Sequence, residues 1–408
     1  MLIHWIWLAT RPGMNDRLRT ALIESYQDAE DVFYASAYDR VEGLTEDALT
    51  ALSDKNLREA DKILTQCIDK EIHILTYGDE NYPARLRNIS DPPMVLYYKG
   101  QLPDFERSPM VGIVGTRKAS TYGLNTARRM GGQIAKCGGT VVSGGASGID
   151  GVAMNSALNA GGVVVGVLGC GVDVVYPQSN RGLFAELERR GCLISEYPPE
   201  TPPMKWNFPK RNRIISGISD GVLVVEAPER SGALITARQA SEQGRDVFVV
   251  PGNIDVSSCA GSNGLLRDGA QMVTTGWDIM SEYEAVYPNK VHRFDGTLPE
   301  LAPEMEPEPL KVAQKPRLLD GIKPRKTKKS KKEIDNGPRG PYIDGEKPLP
   351  PLSGDEQLIA DQLRSGPRLT DEVITATGLT AGKLLPILTM MEVKGLLRRL
   401  PGNMLELK

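Results

Sequence analysis

Apolar positions along the chain change rhythm three times. From residue 1 to about 68 they recur at helical spacing, as at Trp5, Leu8, Leu18, Leu22 and Ile23, and Leu44-Thr45-Glu46 offers a cap ahead of Leu49. The pattern predicts a small helical domain over 1–68, either a plain packing module or helix pairs that bind nucleic-acid backbone. From Ile72 the apolar residues gather into short β-branched runs instead. Ile72–Tyr77 reads as a strand, Gly78–Pro83 as a turn, and Asp91-Pro92-Pro93 leads into a second strand, Met94–Tyr98, closed by Lys99-Gly100. Prolines at a strand entry suit an edge position, so the pair is expected to extend, or bridge to, the sheet that begins at Val111. Further strands are expected at 111–114, 140–142, 163–168, 192–195, 221–225, 247–250 and 272–274. Helical stretches separate them at Gly123–Cys137, Gly151–Ala160, Gly182–Arg190 and Leu234–Gln243. Val- and Ile-rich strands alternating with helices indicate an α/β fold with a doubly wound parallel sheet, here over 69–288. Residues 289–350 lose the rhythm: prolines recur, and an acidic piece precedes the basic run Lys323–Lys332. That composition reads as a disordered linker, its basic run either a weak hold on DNA or RNA backbone or a solvated spacer. Order returns over 351–408, where helix, turn, helix and hairpin make a winged-helix pattern. Its second helix, Ala381–Glu392, carries Lys383 as its one base, which suits protein contacts better than base reading.

Charge narrows the function classes. The 408 residues carry a net charge of −3, which argues against coating nucleic acid by bulk charge and leaves only a local basic site. Between 110 and 288 there are 16 Lys plus Arg and 16 Asp plus Glu, so any cluster of bases there stands out. The five cysteines are scattered without C-x-x-C spacing, as expected for reduced thiols of a cytoplasmic protein rather than a disulfide or zinc framework. The apolar start lacks a basic n-region and no run reaches the roughly 18 residues of a membrane span.

Candidate chemistry sits where strands end. Gly115-Thr116-Arg117 combines glycine for close approach, a hydroxyl donor and a guanidinium suited to phosphate. Ser143-Gly144-Gly145-Ala146-Ser147-Gly148-Ile149-Asp150 places two hydroxyls and three glycines ahead of a helix, where backbone N–H groups converge on an anion. Tight strand-to-helix packing would require the same glycines. Neither loop is a P-loop or a G-x-G-x-x-G fingerprint. A third element, Lys205-Trp206-Asn207-Phe208-Pro209-Lys210-Arg211-Asn212-Arg213, interleaves cations with aromatics, as a single-strand groove does, or as a salt-bridged surface turn would. Ser231-Gly232-Ala233 opens another helix and is placed to complete an anion pocket. No catalytic set is apparent. The three histidines, His4, His73 and His292, lie outside the glycine loops, which weakens metal hydrolysis or a Ser-His-Asp triad. Asp150, Glu196 and Glu226 are the carboxylates that could serve as acids or bases; Asp150 reads better as a loop brace, and Glu226 as a strand end.

Taken together these strings resemble the DNA-processing protein A family, also called Smf. They are Tyr82-Pro83 with Asp91-Pro92-Pro93 and Lys99-Gly100, Gly115-Thr116-Arg117, Ser143-Gly144-Gly145 with Gly148-Ile149-Asp150, Lys210-Arg211-Asn212-Arg213, Ser231-Gly232-Ala233, Pro251-Gly252, and Gly261-Ser262-Asn263 with Gly269-Ala270. The resemblance implies an extended Rossmann-like core between a helical and a winged-helix-like domain. It also implies single-stranded DNA binding, a homodimer, loading of the RecA recombinase, and neither catalysis nor a cofactor nor a membrane. Gly115, Thr116, Arg117, Ser143, Gly144, Gly145, Ser147, Gly148, Asp150, Lys210, Arg211, Asn212 and Arg213 would then form the DNA site. Arg117, Lys210, Arg211 and Arg213 would neutralise phosphates, and Leu265 and Leu266 would lie near the dimer and RecA surfaces. One departure stands out: where the family usually has Ala-His, this chain has Ala153-Met154. The competing expectation is a Rossmann-like phosphoribohydrolase that acts on nucleotides, but its Pro-Gly-Gly-x-Gly-Thr-x-x-Glu loop is missing, and Pro251-Gly252-Asn253 diverges at the third residue.

Overall fold

A computed structural model describes residues 1–296 and most of 354–407. The expected linker and its basic run lie almost wholly outside the described residues. The chain divides into two compact units, Met1–Lys311 and Val312–Lys408.

In the first unit, strands β1 (His73–Thr76), β2 (Val95–Gly100), β3 (Met110–Val114), β4 (Thr140–Ser143), β5 (Val164–Leu168), β6 (Cys192–Ser195), β7 (Gly221–Val224), β8 (Asp246–Val249) and β9 (Gln271–Met272) form one sheet. Its order is β1-β2-β6-β5-β4-β3-β7-β8-β9. Pairing is parallel from β6 across to β9 and antiparallel at β1–β2 and β2–β6. The central strands are Val- and Ile-rich and buried throughout, as a sheet covered on both faces requires. Helices Thr121–Lys136, Ile149–Asn159 and Arg181–Arg190 supply Met130, Ile134, Met154 and Phe184 to one apolar layer. Helices Asn207–Ile218 and Gly232–Glu242 supply Ile214, Ile218, Ala233 and Ala237 to the other.

Two details differ from the sequence expectation. The β2 strand lies inside the sheet, between β1 and β6. Pro92 and Pro93 precede its first paired residue, Val95, so neither removes a ladder donor and the edge rule does not apply. The Lys205–Arg213 string is also largely helix rather than turn. The helix begins at Asn207, which puts Pro209 in its first turn, where no intrahelical N–H is needed.

The N-terminal residues form five helices, Leu2–Thr10, Asp16–Tyr26, Ala29–Tyr34, Glu46–Ser53 and Arg58–Asp69. Their core of Trp5, Trp7, Leu22 and Phe33 is continuous with Met94, Val95 and Tyr97 at the antiparallel end of the sheet. The apolar start is therefore a buried helix. All five cysteines are buried free thiols. Among the described residues, no helix is long and apolar enough to cross a membrane.

The second unit has helices Gly354–Leu363, Thr370–Thr377 and Ala381–Val393 with strands β10 (Arg368–Leu369), β11 (Leu397–Leu400) and β12 (Met404–Leu407) in the order β10-β12-β11. Ile359, Leu363, Val373, Leu384 and Leu388 fill its core. This is a winged helix.

Candidate nucleic-acid interface

From β3 the strand order runs outward through β4, β5 and β6, then returns to β7 on the other side of β3. The loops after β3 and β7 therefore part in opposite directions and leave a crevice at the carboxyl ends of the strands, where open α/β sheets bind ligands. The crevice holds a cleft of about 910 Å³.

One buried carboxylate ties its two walls together. Glu226, just past β7, accepts from Ser120 Oγ at 2.7 Å, and its carbonyl accepts from Thr116 N at 2.8 Å. Ser120 in turn caps the helix Thr121–Lys136 by accepting from Gly123 N. Close approach explains the glycine at 115, where a Cβ would stand 2.5 Å from the Ile149 side chain. In the second loop Gly145 and Gly148 take φ of +63° and +82°, the left-handed region that glycine occupies at no steric cost. Ser143 is fully buried and donates to Ile113 O at 2.6 Å, so it stitches β4 to β3 and offers nothing to a ligand. Asp150 is also buried and accepts from Ala146 N at 3.4 Å. Burial pushes its carboxyl pKa up, against the pull of Arg211 and the Ala146 bond.

Helical periodicity divides the basic string. Residues two apart on a helix point roughly 200° apart, and Arg211 and Arg213 are buried in different places. Arg211, 4% exposed, donates to the carbonyls of Gly144 and Val167, and a Cβ on Gly144 would collide with both Arg211 and Asp150. Burial lowers its guanidinium pKa to about 10 despite the nearby Asp150. Arg213, 3% exposed, meets Glu196 at 2.8 Å, Asp16 at 3.0 Å and Asp91 at 3.0 Å. Asp16 belongs to the helical domain, so Arg213 joins that domain to the core. Lys210, half-exposed, spans to the same Asp16 at 3.2 Å and Glu196 at 3.1 Å. Asn212 donates to Gly232 O. The expectation of a free basic patch over 210–213 thus meets a brace at Arg211 and a charge-compensated network at Lys210 and Arg213.

The cations open to the cleft lie elsewhere. Arg117, Lys118, Lys205 and Arg230 line it and are exposed, and none has an ion-pair partner among the described residues. Asp150 is the one carboxylate in the lining. Phe208 packs near two guanidinium groups, Arg117 at 5.3 Å and Arg211 at 5.9 Å, with Tyr176 at 5.5 Å. Ser231, Ser257 and Ser258 add hydroxyls. Gly115, Thr116, Arg117, Ala146, Asp150, Arg211 and Asn212 are brought together here. Gly144 and Ser147 line a small side pocket that shares Arg117 and Phe208. Lys118 and Tyr176 escaped the sequence reading. Position next to Arg117 was the signal for Lys118, while Tyr176 lies eight residues past the end of β5, beyond the Gly169-Cys170-Gly171 turn that could have drawn attention to this loop.

Leu265 and Leu266 sit on the helix Ala260–Arg267, half-buried against the layer that holds Ala233 and Ala237. Met154 is fully buried in the opposite layer and does not line the cleft. Among the described residues, no group of three or more His, Cys, Asp and Glu side chains is placed to hold a metal ion.

Residues 73–284 match the family model described as DNA recombination-mediator protein A, and 345–403 match the DprA winged helix domain. Protein Smf of Synechocystis sp. is 33% identical over 407 residues, which cover 98% of this chain and 97% of that protein. The DNA processing protein DprA of Bacillus subtilis is 39% identical over 244 residues, 59% of this chain and 82% of that one. The X-ray structure of DNA processing protein A from Streptococcus pneumoniae superposes with a TM-score of 0.60 at 31% identity, covering 69% of this chain and 98% of that chain.

Proposed function

The chain belongs to the DNA recombination-mediator protein A (DprA/Smf) family, and from that premise we propose that it binds single-stranded DNA in the switch-point cleft, without sequence preference and without performing chemistry on it. The observation that carries this reading is the set of four exposed cations, Arg117, Lys118, Lys205 and Arg230, with no acidic partner among the described residues, around a lining whose one carboxylate is buried. Phosphates meet the cations, the N–H groups of the glycine loops and the Ser231 hydroxyl. Phe208, in the cleft lining beside Arg117, gives an aromatic surface of the kind against which any base packs. Recognition through backbone charge and π-faces carries no base code. Asp150 and Glu226, the carboxylates nearest a catalytic role, are both engaged in holding loops together, which supports binding without turnover. A homodimer that passes the strand to RecA belongs to the same reading through the family, with Leu265 and Leu266 as the assigned contact surface.

A fluorescence-anisotropy titration at two salt concentrations tests it. Arg117→Glu is expected to weaken binding to oligothymidylate and to mixed-sequence strands alike. It should also flatten the dependence of log K on log salt by about 0.7 per lost contact. Equal affinity of variant and parent would refute the assignment. Nucleoside monophosphates incubated with the protein should release no free base.

A further inference from the structure

The cleft does not end at Arg230. A second hollow, of about 390 Å³, shares Arg230, Ser231 and Gly232 with it and continues past Leu234, Ile235 and Arg238. The two hollows therefore adjoin across Arg230, Ser231 and Gly232, and the second follows the helix Gly232–Glu242. Ile235 and Arg238 are three residues apart on that helix, hence neighbours on one face, and both are exposed. A rise of about 1.5 Å per residue puts Arg238 roughly 9 Å along the axis from Gly232. Arg238 has no hydrogen-bond or ion-pair partner among the described residues, and Ile235 is 41% exposed. Arg230 and Arg238 against Glu229, the one carboxylate in this lining, leave the second hollow positive.

The run of positive charge stops there. A third hollow, which shares Leu234 and Arg238, carries Asp246 and Asp268 beside Arg238, Arg245 and the half-buried Leu265. Its charges balance, which removes the attraction for a further phosphate.

We propose that the second hollow is a separate single-strand subsite, in which Arg238 holds a backbone phosphate beyond those in the cleft and Ile235 gives an apolar seat to a base. Positive charge and a shared rim with the cleft specify the occupant, a nucleic-acid strand long enough to leave the crevice. The subsite rests on the cleft being the primary DNA site. It gives the strand a direction of exit, across the helix Gly232–Glu242 toward the hollow that contains Leu265.

Strand length separates the two sites. Anisotropy titrations of the full chain would use oligothymidylates of roughly 5 and roughly 20 nucleotides, a range set by the usual size of single-strand sites. Arg238→Ala is expected to leave the short strand's affinity unchanged, to weaken the long strand several-fold, and to lower the long strand's salt slope by about 0.7. Arg238→Lys, which keeps the charge, should retain the parent slope. Arg238 is exposed and has no side-chain hydrogen bond or ion pair among the described residues, so the variant's urea midpoint should match the parent's. Unchanged affinity of Arg238→Ala for the long strand would overturn the subsite. Equal loss on both strands would overturn it too, because the effect would then act through the cleft. An Arg117→Glu protein that still binds the short strand as the parent does points instead to failure of the cleft reading.

Discussion

Arg117 and Arg213 look interchangeable as phosphate ligands in the sequence, and the structure assigns them opposite consequences on substitution. Arg213 is 3% exposed and faces Asp16 and Glu196, themselves only 8% and 6% exposed. Removing one member of a buried ion network leaves the rest uncompensated, which costs about 3–5 kcal/mol. Lys210 remains within 3.2 Å of both carboxylates and recovers part of this, so Arg213→Ala is expected near the lower end, about 3 kcal/mol. Arg117 is exposed, lies over the Phe208 ring and has no ion-pair partner among the described residues. Its replacement by Ala should change stability by no more than about 0.5 kcal/mol, yet forfeit a charge-assisted contact to DNA worth about 1.5–3 kcal/mol, tenfold or more in affinity. Urea denaturation followed by tryptophan fluorescence reads the first effect, because Trp5 and Trp7 lie in the domain that Arg213 anchors. Anisotropy with single-stranded DNA reads the second. Arg213→Ala should shift the urea midpoint and, while folded, bind DNA like the parent; Arg117→Ala should do the reverse. An Arg213→Ala protein with the parent's midpoint and weakened DNA binding would refute the reasoning.

Two further outcomes follow from buried groups. Burial raises the Asp16 pKa, but Arg213, Lys210 and Arg19 outweigh it and hold the carboxyl below its ordinary value. A depressed folded-state pKa adds stability above the unfolded value of about 3.9, and that stability is lost as pH falls through the folded value. The stability difference between the parent and Asp16→Asn should therefore shrink below about pH 4, as read by acid titration of the urea midpoint. Met154 is fully buried against Gly166, so Met154→His places an imidazole in an apolar layer without a partner. A loss of about 1–3 kcal/mol is expected with no gain in DNA affinity; tighter binding by the variant would show that this position reaches the site.

Legibility tracked how local the deciding physics was. Strand runs and glycine loops between 111 and 250 were readable because alternation of apolar strands with helices, and glycines that take a left-handed turn such as Gly145 and Gly148, leave their mark within a few residues of sequence. The interior place of β2 was not, since it depends on antiparallel pairing with β6, almost a hundred residues later. Nor was the splitting of Lys210–Arg213. Composition alone showed a basic cluster beside aromatics, but the partners that absorb its charge, Asp16, Asp91 and Glu196, come from three separate segments. Conversely Lys118 and Arg230, unremarkable in composition, became prominent because both are exposed in the cleft lining without an ion-pair partner among the described residues.

The cleft's location and its charge have one origin. The reversal of strand order between β3 and β7 exposes loop backbone at the carboxyl ends of the strands, and Glu226 spends its carboxylate on fixing that opening rather than on facing it. Asp150 is likewise turned onto its own loop, beside the buried Arg211. With both carboxylates absorbed by the scaffold, a core of balanced overall charge shows a positive face at the switch point, where loop backbone is open. A mononucleotide would need a closed pocket and a specific base partner. An open cleft that runs into a second positive hollow over Arg238 suits a chain of phosphates, each meeting one of a row of separated cations.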